Sequence, residues 1–161
     1  MTIARKALES AKSKRQNLFE KRDRVWAVFD QDEHEGYKDA VNLCESKGVG
    51  VARSNPCFEV WLILHEQDYD RPDDRHQVQE ILRRLRPEYD KSGAKVPDCG
   101  DMVDRVHRAE KRGQALLCRR EAEMNPHGRP STTVGNLTKA IREADETTYL
   151  GFTAESDGNP S

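Results

Sequence analysis

At 161 residues and a formal charge of −2, the chain has one domain's worth of length and no global attraction for polyanions or anionic membranes. Hydrophobic and charged residues each make up 35%, and that apolar share is well under the roughly 45% usual for soluble domains. Such a balance implies charge-rich helix surfaces, or a core completed by a partner or by further sequence.

In chain order, residues Ile3 to Lys21 set Ile3, Ala7, Leu8, Ala11, Leu18 and Phe19 among basic side chains, which predicts an amphipathic helix. Val25 to Phe29 is apolar on both faces, the pattern of an internal strand in a parallel sheet, and it stops at Asp30, Gln31 and Asp32. Gly36 to Lys47 predicts a helix with Tyr37, Ala40, Val41 and Cys44 on one side, ended by Gly48. The run GVGVA then predicts a second strand that stops at Arg53, Ser54, Asn55 and Pro56. Asn55 as cap and Pro56 as first helical residue start the next helix, with Phe58, Trp61, Leu62 and His65 on one face. After a polar break from Asp68 to Asp74, a helix from about His76 to Arg86 carries Val78, Ile81, Leu82 and Leu85, and Pro87 stops it.

Tyr89 to Gly100 is irregular, Met102 to Glu123 predicts a long charged helix, and Asn125 to Ser131 is rich in turn residues. A last helix from Thr132 to Ala144 has Val134, Leu137 and Ile141 in its stripe. Residues 1–150 thus read as a single domain, and 151–161 as a disordered polar tail. No run approaches the ~18 apolar residues of a membrane span and no signal peptide opens the chain, so a cytoplasmic location is expected. Cys44, Cys57, Cys99 and Cys118 are far apart with no C-x-x-C pairing, which argues for reduced thiols and against a zinc site.

Strand, helix and strand in succession bring the ends of both apolar runs to one sheet edge, where open α/β folds bind ligands. Asp30-x-Asp32 suits Mg²⁺, a hard cation held by one or two carboxylates, and such a cation acts on phosphate oxygens. An acidic loop is the plain alternative. Ser54, Asn55 and the amides opening the next helix would meet an anion, although capping alone also accounts for Asn55. Glu59, in the first turn, would join Asp30 and Asp32 in binding metal or water, or simply complement the helix dipole. His65 is a further catalytic candidate on an apolar face, where a hydrogen-bonded core histidine is the common case. Lys91, in the loop after Tyr89, would meet a phosphate or simply be an ordinary surface lysine. Two basic clusters, Arg83, Arg84 and Arg86, and Lys111, Arg112, Arg119 and Arg120, read first as solvated helix faces.

VWAVFDQDEH, ARSNPCFEVWLILHE, Tyr89 with Lys91, and Asn125-Pro126 with Ser131-Thr132 follow one another in an order that resembles the RloB-like family of prokaryotic proteins, over about residues 20 to 145. That family is found with restriction and abortive-infection phage-defence loci. It looks like a variant of the Toprim fold, the catalytic domain of topoisomerases, primases and OLD-type nucleases. The resemblance implies an α/β fold with a Toprim-like parallel sheet flanked by helices, followed by a helical C-terminal half. It also implies a Mg²⁺- or Mn²⁺-dependent phosphodiesterase or nuclease acting on DNA or RNA in anti-phage defence. Asp30 and Asp32 match the metal-binding Asp-x-Asp, and Glu59 and His65 match further polar positions.

Members of the family open with a strand ending in Glu-Gly, which has no counterpart before Ile3. The chain therefore resembles an N-terminally incomplete member, with an exposed strand edge that favours self-association. A non-catalytic component that binds nucleic acid or a defence-associated ATPase is the alternative reading.

Overall fold

The computed structural model describes Lys6, Glu9 and residues 24–31, 36–89 and 100–155, with side chains through 144. Of the helix expected over Ile3 to Lys21, only Lys6 and Glu9 fall within these residues, and both are helical. Asp32, Lys91 and Cys99 lie outside them.

The first apolar run forms β1, Trp26–Asp30. Gly36, at φ 83°, opens α1, Tyr37–Ser46, and Gly48, at φ 69°, turns the chain back towards the sheet. Glycine is suited to both places because a left-handed backbone costs it no Cβ clash. β2, Gly50–Asn55, pairs in parallel with β1 from Trp26↔Gly50 through Asp30↔Ser54. The indole of Trp26 lies across the start of β2, so a Cβ at Gly50 would stand 2.5 Å from it.

The sheet is covered on both faces. Ala27, Cys44 and Val49 form a small cluster under α1. Ala52 faces the larger core, built around α2, Glu59–Glu66. Every residue of α2 from Glu59 to His65 is buried, as expected of a helix that is apolar all round. Ile63 and Leu64 are fully buried, each stabilising the fold by about 1.5–3 kcal/mol relative to exposure.

Around α2 pack α3, Arg75–Leu85, and α4, Val106–Ala122, the latter entered through a 3₁₀ turn at Val103–Arg105. Asp74 caps α3 in a reciprocal capping box with Gln77. β3, Ser131–Thr132, leads into α5, Val134–Glu155, which packs on α4 and β2. At the crossing of α4 and α5, a Cβ on Gly135 would lie 3.4 Å from both Glu110 Cα and the Trp61 ring, so glycine lets the helices approach closely.

The α/β layering, the parallel strand–helix–strand unit and the helical second half agree with the sequence expectation. Four details differ. Arg53, Ser54 and Asn55 lie within β2: the ladder with β1 runs on through Phe29↔Arg53 and Asp30↔Ser54, and β3 pairs antiparallel as Ser54↔Thr132 and Asn55↔Ser131, which makes the sheet mixed. The following helix begins at Glu59 and not at Pro56, since the Asn55 side chain is engaged elsewhere and caps nothing. Phe58 is exposed and does not share the buried face of α2. Helix α5 runs to Glu155, beyond the start expected for the tail, and residues 156–161 lie outside the description.

Candidate active site at the sheet edge

Asp30 ends β1 half-buried, opposite Ser54 in the parallel register. The ladder continues one residue further, where the Gln31 amide donates to the Ser54 carbonyl at 2.7 Å. Asp30's charge acts on both Tyr37 and Cys57. Beside it, the Gln31 Oε1 is buried without a hydrogen-bond partner.

Ser54 and Asn55, expected to face a phosphate, spend their side chains inside the protein. Ser54 Oγ and Thr132 Oγ1 lie 2.9 Å apart. Asn55 Nδ2 donates to the His127 carbonyl at 2.6 Å, while its Oδ1 accepts from Arg129 Nε at 3.3 Å. Both residues fasten the segment around 126–133 to the carboxyl end of β2.

The same fastening brings in residues that sequence reasoning did not single out. Arg53, 7% exposed, donates from one guanidinium nitrogen to the Pro126 carbonyl at 3.0 Å and from the other to Ser131 Oγ at 3.5 Å. The Tyr37 ring meets Phe29 edge-on at 5.7 Å and His127 edge-on at 6.1 Å. The Tyr37 hydroxyl and His127 Nδ1 are both buried without a hydrogen-bond partner. Burial raises the Tyr37 pKa against the opposing pull of Arg53, which acts on the hydroxyl electrostatically without completing a hydrogen bond in good geometry. Burial, then the charges of Arg53 and Lys38, hold His127 below the usual histidine range, leaving its ring neutral.

Glu59 sits in a cage of donors. Its Oε1 accepts from Tyr89 Oη at 2.7 Å and from Gln79 Nε2 at 2.9 Å. Burial alone would raise its pKa; hydrogen bonds from Tyr89, Cys57, its own amide and Gln79 outweigh that and hold the carboxyl below the ordinary range. Conversely, burial and the neighbouring Glu59 push the Cys57 thiol far up, so it stays protonated. The charge of Asp30 raises it further in the same direction.

His65 is a core histidine. It is 2% exposed, its Nδ1 lies 3.0 Å from the Trp61 carbonyl, and its ring meets the indole edge-on at 4.8 Å. Burial lowers its pKa, so the neutral ring donates from Nδ1.

The basic clusters are largely neutralised within the fold. Arg83 and Arg84 pair with Glu80. Buried Arg86 reaches Glu66 at 2.6 Å, Glu88 at 2.7 Å and Asp101 at 2.6 Å, and Arg105 joins the same Glu66 and Asp101. Arg119 and Arg120 share Asp70, and Arg112 meets Asp68. A groove of about 250 Å³ between α4 and α5 is lined by Lys111, Lys139 and Arg142 among others, with Arg142 tied to Glu110. Among the described residues, no three His, Cys, Asp or Glu side chains gather as a metal-holding group, and no helix is long and apolar enough to cross a membrane.

No curated protein and no solved structure matches the chain. A protein-family model described as RloB-like protein matches residues 1–141, which takes in both strands of the parallel pair, the Glu59 cage and the 126–133 segment. The chain belongs to the RloB-like family.

Proposed function

We propose that this protein is a divalent-metal-dependent phosphodiesterase of Toprim-like type that cuts nucleic acid in prokaryotic anti-phage defence. The observation that carries the reading is the position of Asp30: a half-buried carboxylate at the carboxyl end of a parallel strand, beside an orphaned Gln31 oxygen. Open α/β sheets take ligands at this edge, and oxygen donors of this kind suit Mg²⁺ or Mn²⁺.

Asp30 and Asp32 would hold the cation, which supplies polarisation of the phosphoryl oxygen and stabilisation of the leaving oxygen when bound. Glu59 fits the ligand role less well, since its Oε1 already accepts two hydrogen bonds. In this reading it fixes the first turn of α2 through Tyr89 and Gln79. His65, in the core behind Trp61, carries no step.

The test is cutting of labelled single- and double-stranded DNA and of RNA with Mg²⁺, Mn²⁺ or EDTA. Metal-dependent cutting that disappears in Asp30→Ala/Asp32→Ala supports the reading, and full cutting by that variant overturns it. The caged state of Glu59 favours a second reading, a non-catalytic component that binds nucleic acid or a defence-associated ATPase. Metal-independent binding of nucleic acid with no cutting under any of these conditions would select it.

A further inference from the structure

We propose that Arg53, Tyr37 and His127 form a phosphate-receiving subsite at the sheet edge that Asp30 also reaches, which takes a backbone phosphate of the nucleic-acid strand near the bond to be cut. The inference rests on the phosphodiesterase reading and names where that substrate is gripped.

A buried guanidinium is ordinarily matched by a carboxylate, because burying an unpaired charge is costly. Arg86 and Arg120 follow this rule in the same molecule. Arg53 does not. Its hydrogen bonds go to the Pro126 carbonyl and the Ser131 hydroxyl, and no carboxylate among the described residues pairs with it. Two further polar groups point to the same place. The Tyr37 hydroxyl is buried with no partner although the residue is only 6% exposed, and His127 Nδ1 is buried with none across a 6.1 Å ring contact from Tyr37. Arg53 acts electrostatically on both. Orphaned buried polar atoms are rare enough that several around one unpaired cation call for a ligand.

The donors match an oxyanion. A planar guanidinium, a phenolic hydroxyl and a neutral imidazole N–H all donate to phosphate oxygens, and arginine does so with directional geometry. Position fits as well. Arg53 alternates with Ser54, placing it on the α1 side of β2 near its carboxyl end, and Tyr37 feels both Arg53 and Asp30. Asp30, in register with Ser54, leaves the other face of the sheet, so the anion subsite and the acidic end of β1 meet the same carboxyl edge from its two faces. Ser54 and Asn55 are spent on Thr132, His127 and Arg129, and instead hold this subsite's outer wall in place.

The test is titration of the full chain with inorganic phosphate in EDTA-containing buffer, following the ring signals of His127 by NMR, assigned by their loss in His127→Gln. A saturable shift is expected, with affinity about tenfold or more weaker in Tyr37→Phe, as for loss of one hydrogen bond to a charged group. The melting temperature of Tyr37→Phe without phosphate should be no lower than that of the wild type, since its hydroxyl makes no hydrogen bond of good geometry to lose; this separates a binding role from a structural one. A short oligonucleotide without terminal phosphates should compete with the inorganic ion.

No saturable shift at tens of millimolar phosphate, unchanged affinity in Tyr37→Phe, or failure of the oligonucleotide to compete would each overturn the proposal. Phosphate binding with no metal-dependent cutting would leave the subsite standing and remove the nuclease reading. Asp30-dependent cutting without phosphate binding at Tyr37 would do the reverse.

Discussion

Glu59 and Tyr37 are equally buried, at 6% exposed each, yet their polar atoms are treated in opposite ways. The Glu59 carboxylate on α2 is met by Tyr89 and Gln79, and nearby Tyr69 donates to Asp73 at 2.9 Å. At the carboxyl edge of β1 and β2, the hydroxyl of Tyr37, Nδ1 of His127 and Oε1 of Gln31 are left without partners. The first region spends its buried polarity on holding the fold together. The second keeps it in reserve, at a standing cost in stability, and such a reserve is what a binding edge needs.

The largest test of this contrast is Asp30→Asn, which should reduce metal-dependent cutting by about a thousandfold, the loss of several kcal/mol of charge stabilisation, in a variant whose folded state is verified by circular dichroism. Cutting within a few fold of wild type would break the assignment of chemistry to the edge.

Next is Glu59→Ala, which strips Tyr89 and Gln79 of their acceptor and should destabilise the protein by about 3 kcal/mol in urea unfolding. An unchanged midpoint would mean that the cage does not hold the fold. The same carboxyl gives a pH signature. Its folded pKa lies below the ordinary 4.5, so its contribution is complete above that value and is lost as pH falls through the lower folded pKa. Wild type should therefore lose more stability than Glu59→Gln between neutral pH and the acid side of 4.5, as followed by thermal melts.

The smallest effects sharpen the comparison most. Tyr89→Phe should cost about 1.5–3 kcal/mol because a hydrogen bond to a charged group disappears. Tyr37→Phe, the same chemical change at the edge, should stay within about 0.5 kcal/mol of wild type. Equal losses in paired unfolding curves would erase the distinction between the two regions.

How much of this could be read in the sequence follows from the range of the forces involved. The parallel pair was legible because VWAVF and GVGVA are local apolar runs separated by a helix-length segment with a glycine at its end. Asp30 was legible because it follows such a run. Arg53, Ser54 and Asn55 look like loop residues, yet the ladder with β1 carries the first two on as strand, and partners almost eighty positions later hold all three, as when the Arg53 amide donates to Thr133 Oγ1 at 2.9 Å. Nothing local announces that pairing.

The grouping of Tyr37 with Arg53 and His127 was hidden for the same reason, since Tyr37 carries the periodicity of an ordinary core residue. The one available signal was the density of turn residues in Asn125–Ser131, which also holds His127 and Arg129. His65 shows the opposite case: its place on an apolar helix face already pointed to the core role that its bond to the Trp61 carbonyl now gives it.

The Arg86 cluster reaches beyond local pairing. Through one guanidinium it ties the end of α2 at Glu66 to Glu88 on one side and to Asp101 on the other, so the chain leaving Tyr89 and the chain returning at Gly100 are clasped together. Helix α4, downstream of the clasp, is packed against α2, upstream of it, and α5 is packed against β2. A polypeptide severed between Tyr89 and Gly100 would thus remain a single particle, its halves joined as a split protein joins, and the sheet edge would outlive the break in the backbone.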